Sequence, residues 1–171
     1  MPRKRTEQLI KILQRSEHPV TGTELSRKLK VSRQIIVQDV ALLRAAGTEI
    51  LATPQGYVLL KHDGPQAKHA VLAVQHSPDQ TETELCILVD NGLKVIDVIV
   101  EHPLYGELRG YLMLQCRADV QAFMNRLKVE RATLLSALTG GVHLHTVEYE
   151  DAVGLEQART ALAQQGLIVR Q

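Results

Sequence analysis

The sequence predicts an α+β chain of two domains: three short helices with a two-stranded hairpin, followed by a two-layer α/β domain. Apolar residues keep helical spacing through the first 46 residues, and from residue 69 onward short apolar strands alternate with helices. Charge divides the chain similarly, because residues 1–60 carry ten basic and five acidic side chains and the remainder ten and fourteen. A basic first domain beside an acidic second one indicates a polyanionic partner for the first.

The first two helices are short and amphipathic. Over residues 6–14 the apolar positions lie one helical turn apart, and Pro19 ends this stretch because proline disfavours helix in the residue before it. Thr21 then supplies the cap of a second helix, in which Leu25 and Leu29 are separated by one turn. The sequence therefore predicts two helices that bury one face each.

A third helix follows after a tight turn. Ser32 has the residue type and position of an N-cap, and Gly47 ends the helix. Ile36, Val40 and Leu43 follow at i, i+4 and i+7 and form its buried face. Three short helices with this turn predict a helix-turn-helix, whose last helix enters the DNA major groove.

Residues 49–53 and 56–60 read as two strands around a turn with Pro54 and Gly56, which predicts a wing. Arginine pairs with guanine and glutamine with adenine in bidentate fashion, and Tyr57 of the wing could reach a phosphate. A protein-binding module is the alternative, but the order of elements on a basic segment favours double-stranded DNA. The candidate DNA contacts over residues 1–61 are Thr21, Ser32, Arg33, Gln34, Gln38 and Tyr57.

Composition excludes a membrane protein, because no apolar run approaches the ~20 residues that span a bilayer. The basic residues after Met1 lead into a charged helix pattern and not into the apolar core of a signal peptide, so we expect a cytoplasmic protein. Cys86 and Cys116 lie far apart in the sequence, and we expect both to be reduced thiols.

Residues 61–67 are polar and turn-rich and read as a linker, and residues 68–171 form the second domain. Its predicted strands are 69–75, 93–101, 107–115, 142–148 and 167–169, and its predicted helices are 79–91, 119–138 (long or broken) and 155–164. We expect the helices to cover one face of a mainly antiparallel sheet.

The second domain contains histidines whose spacing indicates a metal or ligand site. His143 and His145 are two residues apart on a predicted strand, so both imidazoles project from one face and could form half of a metal site or a surface pair. His76 ends the first strand and Glu84 lies in the next helix, so both can converge on one sheet edge. Such a set suits Zn, Ni, Co, Mn or Fe. His102 lies in a turn between strands, where it could contact a ligand or water.

The chain resembles a known family. Residues 19–22 (PVTG) and 31–34 (VSRQ) resemble a winged helix-turn-helix of the biotin-repressor type. His76 with residues 84–85, the run 100–107 (VEHPLYGE) and the run 140–146 (GGVHLHT) resemble the three-histidine (3H) domain. The pairing resembles the niacin-responsive repressors of NAD biosynthesis and niacin uptake genes.

The resemblance implies a phosphocarrier-like open sandwich, a homodimer on a DNA operator and a regulator, not an enzyme. It implies nicotinic acid as the effector, acting as corepressor, and a divalent metal such as zinc or nickel. The metal ligands that it implies are His76, Glu84, His143 and His145. The candidate contacts for nicotinic acid, by location, are His102, Tyr105 and Arg109.

Three alternatives stay open. A metal-responsive repressor would use the same two domains with the ion itself as the signal. A metal-dependent hydrolase joined to a DNA-binding domain would need a general base, for which Glu101 or Glu107 is available. A phosphorylatable histidine would fit the phosphocarrier-like topology, although no serine-rich or arginine-bearing histidine loop supports it.

Overall fold

A computed structural model describes residues 2–60 and 67–169. It divides the chain into two compact units, residues 1–64 and 65–171. The predicted linker over residues 61–67 lies outside the described residues except for Ala67. In the described parts of the chain, no helix is long and apolar enough to cross a membrane.

The first unit consists of α1 (Pro2–Arg15), α2 (Gly22–Leu29), α3 (Arg33–Ala45), β1 (Ile50–Thr53) and β2 (Gly56–Leu59). The Thr21 hydroxyl caps α2 by accepting from the Glu24 N–H (3.1 Å). The Ser32 hydroxyl caps α3 in the same way, accepting from the Ile35 N–H (3.3 Å). Each cap satisfies a backbone donor that a helix start leaves without an intrahelical partner.

The core of this unit is aliphatic and consists of Leu9, Leu13, Val20, Leu25, Ile36, Val40, Leu43 and Ile50. The antiparallel β1–β2 hairpin is joined to the helices by two backbone hydrogen bonds between Val20 and Tyr57, of 2.8 and 3.0 Å. Gly56 is required there, because a Cβ at this position would lie 2.6 Å from the Val20 carbonyl. The buried Asp39 carboxylate of α3 accepts from the Arg5 guanidinium of α1 at 2.5 and 2.9 Å.

The second unit has a four-stranded antiparallel sheet in the order β3-β6-β4-β5. Its strands are β3 (Lys68–Gln75), β4 (Lys94–His102), β5 (Gly106–Leu114) and β6 (Val142–Tyr149). Its helices are α4 (Thr81–Asp90), α5 (Arg117–Val129) and α6 (Ala152–Gln164), with 3₁₀ helices at Pro78–Gln80 and Leu135–Thr139. One core joins the helices to one sheet face, which confirms the predicted α+β class.

Two predicted elements differ in detail. The predicted helix over residues 119–138 is broken: α5 ends at Val129, and Arg131 adopts a left-handed backbone (φ 49°) that an α-helix cannot continue. The predicted last strand, 167–169, is reduced to a single bridge between Val74 and Ile168. The segment after this break lines one cavity together with Glu84, His143 and His145.

Candidate metal centre and DNA-binding helix

The four predicted metal ligands lie in one buried cluster. His76 follows β3, Glu84 lies on α4, and His143 and His145 project from the helix-covered face of β6. The Glu84 Oε2 atom lies 2.6 Å from His76 Nε2 and 3.4 Å from His143 Nε2, and Oε1 lies 3.0 Å from His145 Nε2. All four side chains are at most 3 % exposed.

The Nδ1 atom of each imidazole, on the side away from Glu84, fixes the orientation of the ring through a hydrogen bond. Every Nδ1 atom lies against a backbone carbonyl oxygen, which only accepts, so Nδ1 carries the proton. The carbonyls belong to Ser77 (2.8 Å, for His76), Gly141 (2.8 Å, for His143) and Asp97 (2.5 Å, for His145). In its neutral form, a ring held in this way turns its Nε2 lone pair toward the Glu84 carboxylate.

Lone pairs that converge on a carboxylate require a positive charge between them. Burial raises the pKa of Glu84, but the three adjacent imidazoles lower it by a larger amount. The pKa of Glu84 therefore lies well below its usual value. Burial lowers the pKa values of His76 and His145, but Glu84 and the backbone carbonyls outweigh it and both are raised. Glu84 Oε1 makes no hydrogen bond of acceptable geometry. Protons on the rings or one cation can meet this requirement.

The donor set fits a divalent transition metal. His76, Glu84 and His143 each offer a ligand atom, and these atoms lie within 4.8 Å of one another. Imidazole nitrogen and carboxylate oxygen are common ligands of such ions at about 2.0–2.2 Å. Each imidazole also donates its second ring N–H to a carbonyl, the arrangement typical of metal-bound histidine.

The start of β6 reaches the cluster through Gly141. Its φ is +92°, and a Cβ there would lie 2.2 Å from the His76 carbonyl oxygen. Only glycine allows the two backbones to pass this closely. The passage brings the rings of His143 and His76 to a centroid distance of 5.0 Å.

Asp97 is a residue of this site that the sequence reasoning missed. Its backbone carbonyl holds His145, and its fully buried carboxylate accepts from the Thr146 N–H (2.9 Å) and from Arg109 (2.5 Å). A single acid inside the apolar run of β4 was the available signal. Asp97 therefore ties β4 to the strand that carries two of the imidazoles.

Both domains of the chain are similar in sequence to known proteins. A model of the HTH domain matches residues 5–58, and a model of the 3H domain matches residues 69–171. A probable transcription repressor, NiaR, of Thermotoga maritima is 41 % identical over 98 % of this chain and 94 % of its own length. The transcription repressor NadR of Bacillus subtilis is 42 % identical over 97 % and 93 %.

The chain belongs to the 3H-domain family of transcription repressors. The predicted family and the predicted class of function, a DNA-binding repressor, are thereby confirmed. The names of both relatives describe transcription repressors.

In the HTH domain the predicted DNA contacts lie at the start of α3 and beside it. Arg33, Gln34 and Gln38 are exposed on the first two turns of α3. A Cβ placed on Gly22 would meet both the Arg33 side chain (3.5 Å) and the Tyr57 ring (3.6 Å), so both side chains lie close to the start of α2. Thr21 and Ser32 act as helix caps, and half-buried Tyr57 also packs on the core.

In the 3H domain the predicted effector contacts lie on the β4–β5 hairpin. The His102 Nδ1 atom accepts from the N–H groups of Leu104 (3.1 Å) and Tyr105 (3.2 Å), whose side chains are largely exposed. The structure brings His102 and Tyr105 together but does not bring them to the metal cluster. Arg109 reaches the cluster only through Asp97, and its part in effector binding stays a prediction.

Proposed function

We propose that this repressor holds a divalent transition metal in its 3H domain and responds to nicotinic acid. The observation that carries the proposal is the convergence of three imidazole Nε2 atoms on the buried Glu84 carboxylate. The effector is the one that the family resemblance implies, and the controlled genes are those of NAD biosynthesis or niacin uptake. The repressor acts in the cytoplasm as a homodimer on a double-stranded operator.

The metal ligands are His76, Glu84, His143 and His145. An ion bound there supplies a positive charge in a buried site, where the carboxylate or ring nitrogen of a pyridine acid can bind it. The protein groups hold their positions through the Nδ1–carbonyl hydrogen bonds and exclude water through the surrounding apolar core. The effector then shifts the balance between two arrangements of the dimer only by its difference in affinity for them.

On DNA, the first two turns of α3 lie in the major groove. Arg33, Gln34 and Gln38 contact base edges, while Thr21, Ser32 and Tyr57 lie close enough to the same end of α3 to contact phosphates. The recognition helices of a dimer must match half-sites about 34–36 Å apart or a multiple of this distance.

The test is operator affinity, measured by fluorescence anisotropy at fixed salt with promoter DNA from niacin uptake or NAD biosynthesis genes. Nicotinic acid is titrated into metal-loaded protein, with nicotinamide as the control. We expect nicotinic acid alone to tighten operator binding. Tight binding of nicotinic acid with unchanged operator affinity would contradict the proposal.

A metal-responsive repressor is the second candidate, because the three imidazoles and the Glu84 carboxylate form a donor set for an ion by themselves. Its mark is a change of operator affinity with metal at a fixed concentration of nicotinic acid. If both pyridines leave operator affinity unchanged and metal alters it, this second function replaces the first.

A further inference from the structure

Asp97 lies at a β-bulge, where β4 pairs with the strand that carries two of the imidazoles. Val95 pairs with Val147 and Ile99 pairs with Leu144, so three residues of β4 stand opposite two of β6. A bulge interrupts the regular ladder of backbone hydrogen bonds, and bulges are frequent beside functional sites, where they redirect side chains. The ladder is therefore interrupted at the point where β4 passes the proposed metal ligands.

The side chain and the backbone of Asp97 exchange their usual roles at this bulge. The Thr146 N–H, a backbone donor of β6, donates to the Asp97 carboxylate oxygen Oδ1 (2.9 Å). The Asp97 carbonyl oxygen accepts instead from the Nδ1 atom of His145 (2.5 Å). The carboxylate thus fixes the two strands relative to each other, and the carbonyl that it holds in place fixes the imidazole.

The second carboxylate oxygen of Asp97 binds Arg109, which belongs to the opposite face of the sheet. Arg109 pairs with Ile99 and Ile99 pairs with Leu144, the residue between the two imidazoles on β6. Successive residues of a strand project to opposite faces, so Arg109 lies on the face away from the imidazoles. Its Nη1 atom donates to Asp97 Oδ2 (2.5 Å), and its side chain is 37 % exposed. Arg109 therefore supplies the positive charge that a fully buried carboxylate requires.

We propose that Asp97, paired with Arg109, is a positioning residue of the metal centre that acts through His145. Its carboxylate accepts from β6 and from Arg109 at the same time, and this double anchor holds its carbonyl where His145 donates to it. Groups that bind the second ring nitrogen of a metal-bound histidine orient the ring and tune metal affinity. The inference rests on the proposed function, because it concerns the affinity of the same metal site.

The other two imidazoles are anchored locally. His76 contacts the carbonyl of the next residue, Ser77, and His143 contacts the carbonyl of Gly141, two residues earlier. Of the three Nδ1 hydrogen bonds, the one from His145 alone connects residues that are distant in the sequence. Loss of the Asp97 anchor should therefore disturb one imidazole and leave the other two in place.

Asp97→Asn tests this role in the full-length chain. A carboxamide has one accepting oxygen and one donating nitrogen, so it cannot accept from both the Thr146 N–H and the Arg109 guanidinium. We expect zinc affinity, measured by competition with a chromophoric chelator, to fall by about 10–100-fold. Asp90→Asn is the matched control, because Asp90 pairs with Arg117 at the surface and this exposed pair should leave zinc affinity unchanged.

Nuclear magnetic resonance separates positioning from a general loss of structure. In the zinc-loaded protein, nitrogen–proton correlation spectra of the imidazoles report the hydrogen bond of each Nδ1 atom. We expect Asp97→Asn to shift the Nδ1–H signal of His145 and to leave those of His76 and His143 unchanged. A purely structural role of Asp97 would instead alter all three signals together.

Arg109 supplies a second variant, which keeps the test decisive if Asp97→Asn does not fold. Because Arg109 is partly exposed, Arg109→Gln disturbs little of the core but removes the charge beside Asp97. We expect zinc affinity to fall in Arg109→Gln. Arg109→Lys keeps the positive charge and should restore part of this loss.

The outcomes distinguish the positioning role from the metal site itself. Wild-type zinc affinity in both Asp97→Asn and Arg109→Gln, or an equal change of all three imidazole signals, overturns the positioning role and leaves the metal site standing. A wild-type chain that binds neither zinc nor nickel overturns the proposed metal site as well.

Discussion

Glu84 is the residue on which the proposed metal centre depends. Its carboxylate is fully buried and has an imidazole nitrogen within 3.4 Å on three sides. A buried charge of this kind is tolerated only when opposite charge lies close to it. The carboxylate therefore selects for a cation, and the rings set where that cation lies.

Glu84→Gln is expected to weaken metal binding by more than about 100-fold. Loss of a residue that only orients a metal ligand typically costs about 10–100-fold in metal affinity, and loss of a ligand itself should cost more. The amide keeps the volume and removes the negative charge. Glu82→Gln, two positions earlier on the same helix, removes an equal charge outside the cluster and is the control. Competition with a chromophoric chelator measures both affinities, and equal values for the two variants would exclude Glu84 as a ligand.

At the scale of elements, α3 and β6 carry the residues of the two proposed sites. Helical period puts Arg33, Gln34 and Gln38 on an exposed face of α3 while Ile36, Val40 and Leu43 form the core on the other. Strand period puts both imidazoles of β6 on the buried face of the sheet.

Arg33→Ala is expected to lower operator affinity by about 1–3 kcal/mol, the typical loss of one specific base contact. Because Arg33 is exposed, the free energy of unfolding should change by less than about 0.5 kcal/mol. Arg15→Ala, exposed in the last turn of α1, is the control for a general loss of positive charge. Anisotropy on operator and on scrambled DNA measures the effect, and equal losses for both variants would place Arg33 outside the base-reading surface.

Gly141→Ala is expected to destabilise the 3H domain by more than about 2 kcal/mol and to abolish metal binding, because its Cβ would clash with the His76 backbone. Gly140 is the matched control, since it also has a positive φ but nothing within 4 Å of its Cβ position. Gly140→Ala should cost only about 1 kcal/mol, the cost of the left-handed backbone. Urea unfolding and metal titration of both variants separate steric clash from backbone strain.

At the scale of the whole molecule, the chain joins a basic HTH domain to an acidic 3H domain. The proposed metal would stabilise only the domain that holds it, by about 4 kcal/mol when the free ion is at 1,000 times its dissociation constant. DNA binding by the HTH domain instead depends on salt, because phosphate contacts release counterions.

Removal of the metal with a chelator should lower the unfolding temperature of the 3H domain and leave that of the HTH domain unchanged. Differential scanning calorimetry of the metal-loaded and stripped chain measures this as a shift of one transition. The Glu84→Gln variant supplies the control, because chelator should not shift either of its transitions. A joint shift of both transitions in the wild type would show that the domains unfold as one unit.

Local patterns predicted much of this molecule. The caps at Thr21 and Ser32 follow from residue type, and the shared face of His143 and His145 follows from the strand period. The break at Arg131 could not be predicted, because no glycine or proline stands there. The role of Asp97 arises from its contacts with β5 and β6, and an acid inside an apolar run signals burial without naming those partners.

The way the imidazoles are anchored has a consequence for how this centre tolerates change. All three rings hydrogen-bond through Nδ1 to main-chain carbonyls, and Glu84 is the side chain that faces their Nε2 atoms. Replacement of the Ser77 side chain therefore leaves its carbonyl in place, and only a deformed backbone path can misdirect the ring. The proposed centre therefore tolerates mutation of neighbours other than Asp97, and an engineer could exchange those surrounding side chains while keeping the three imidazoles in place.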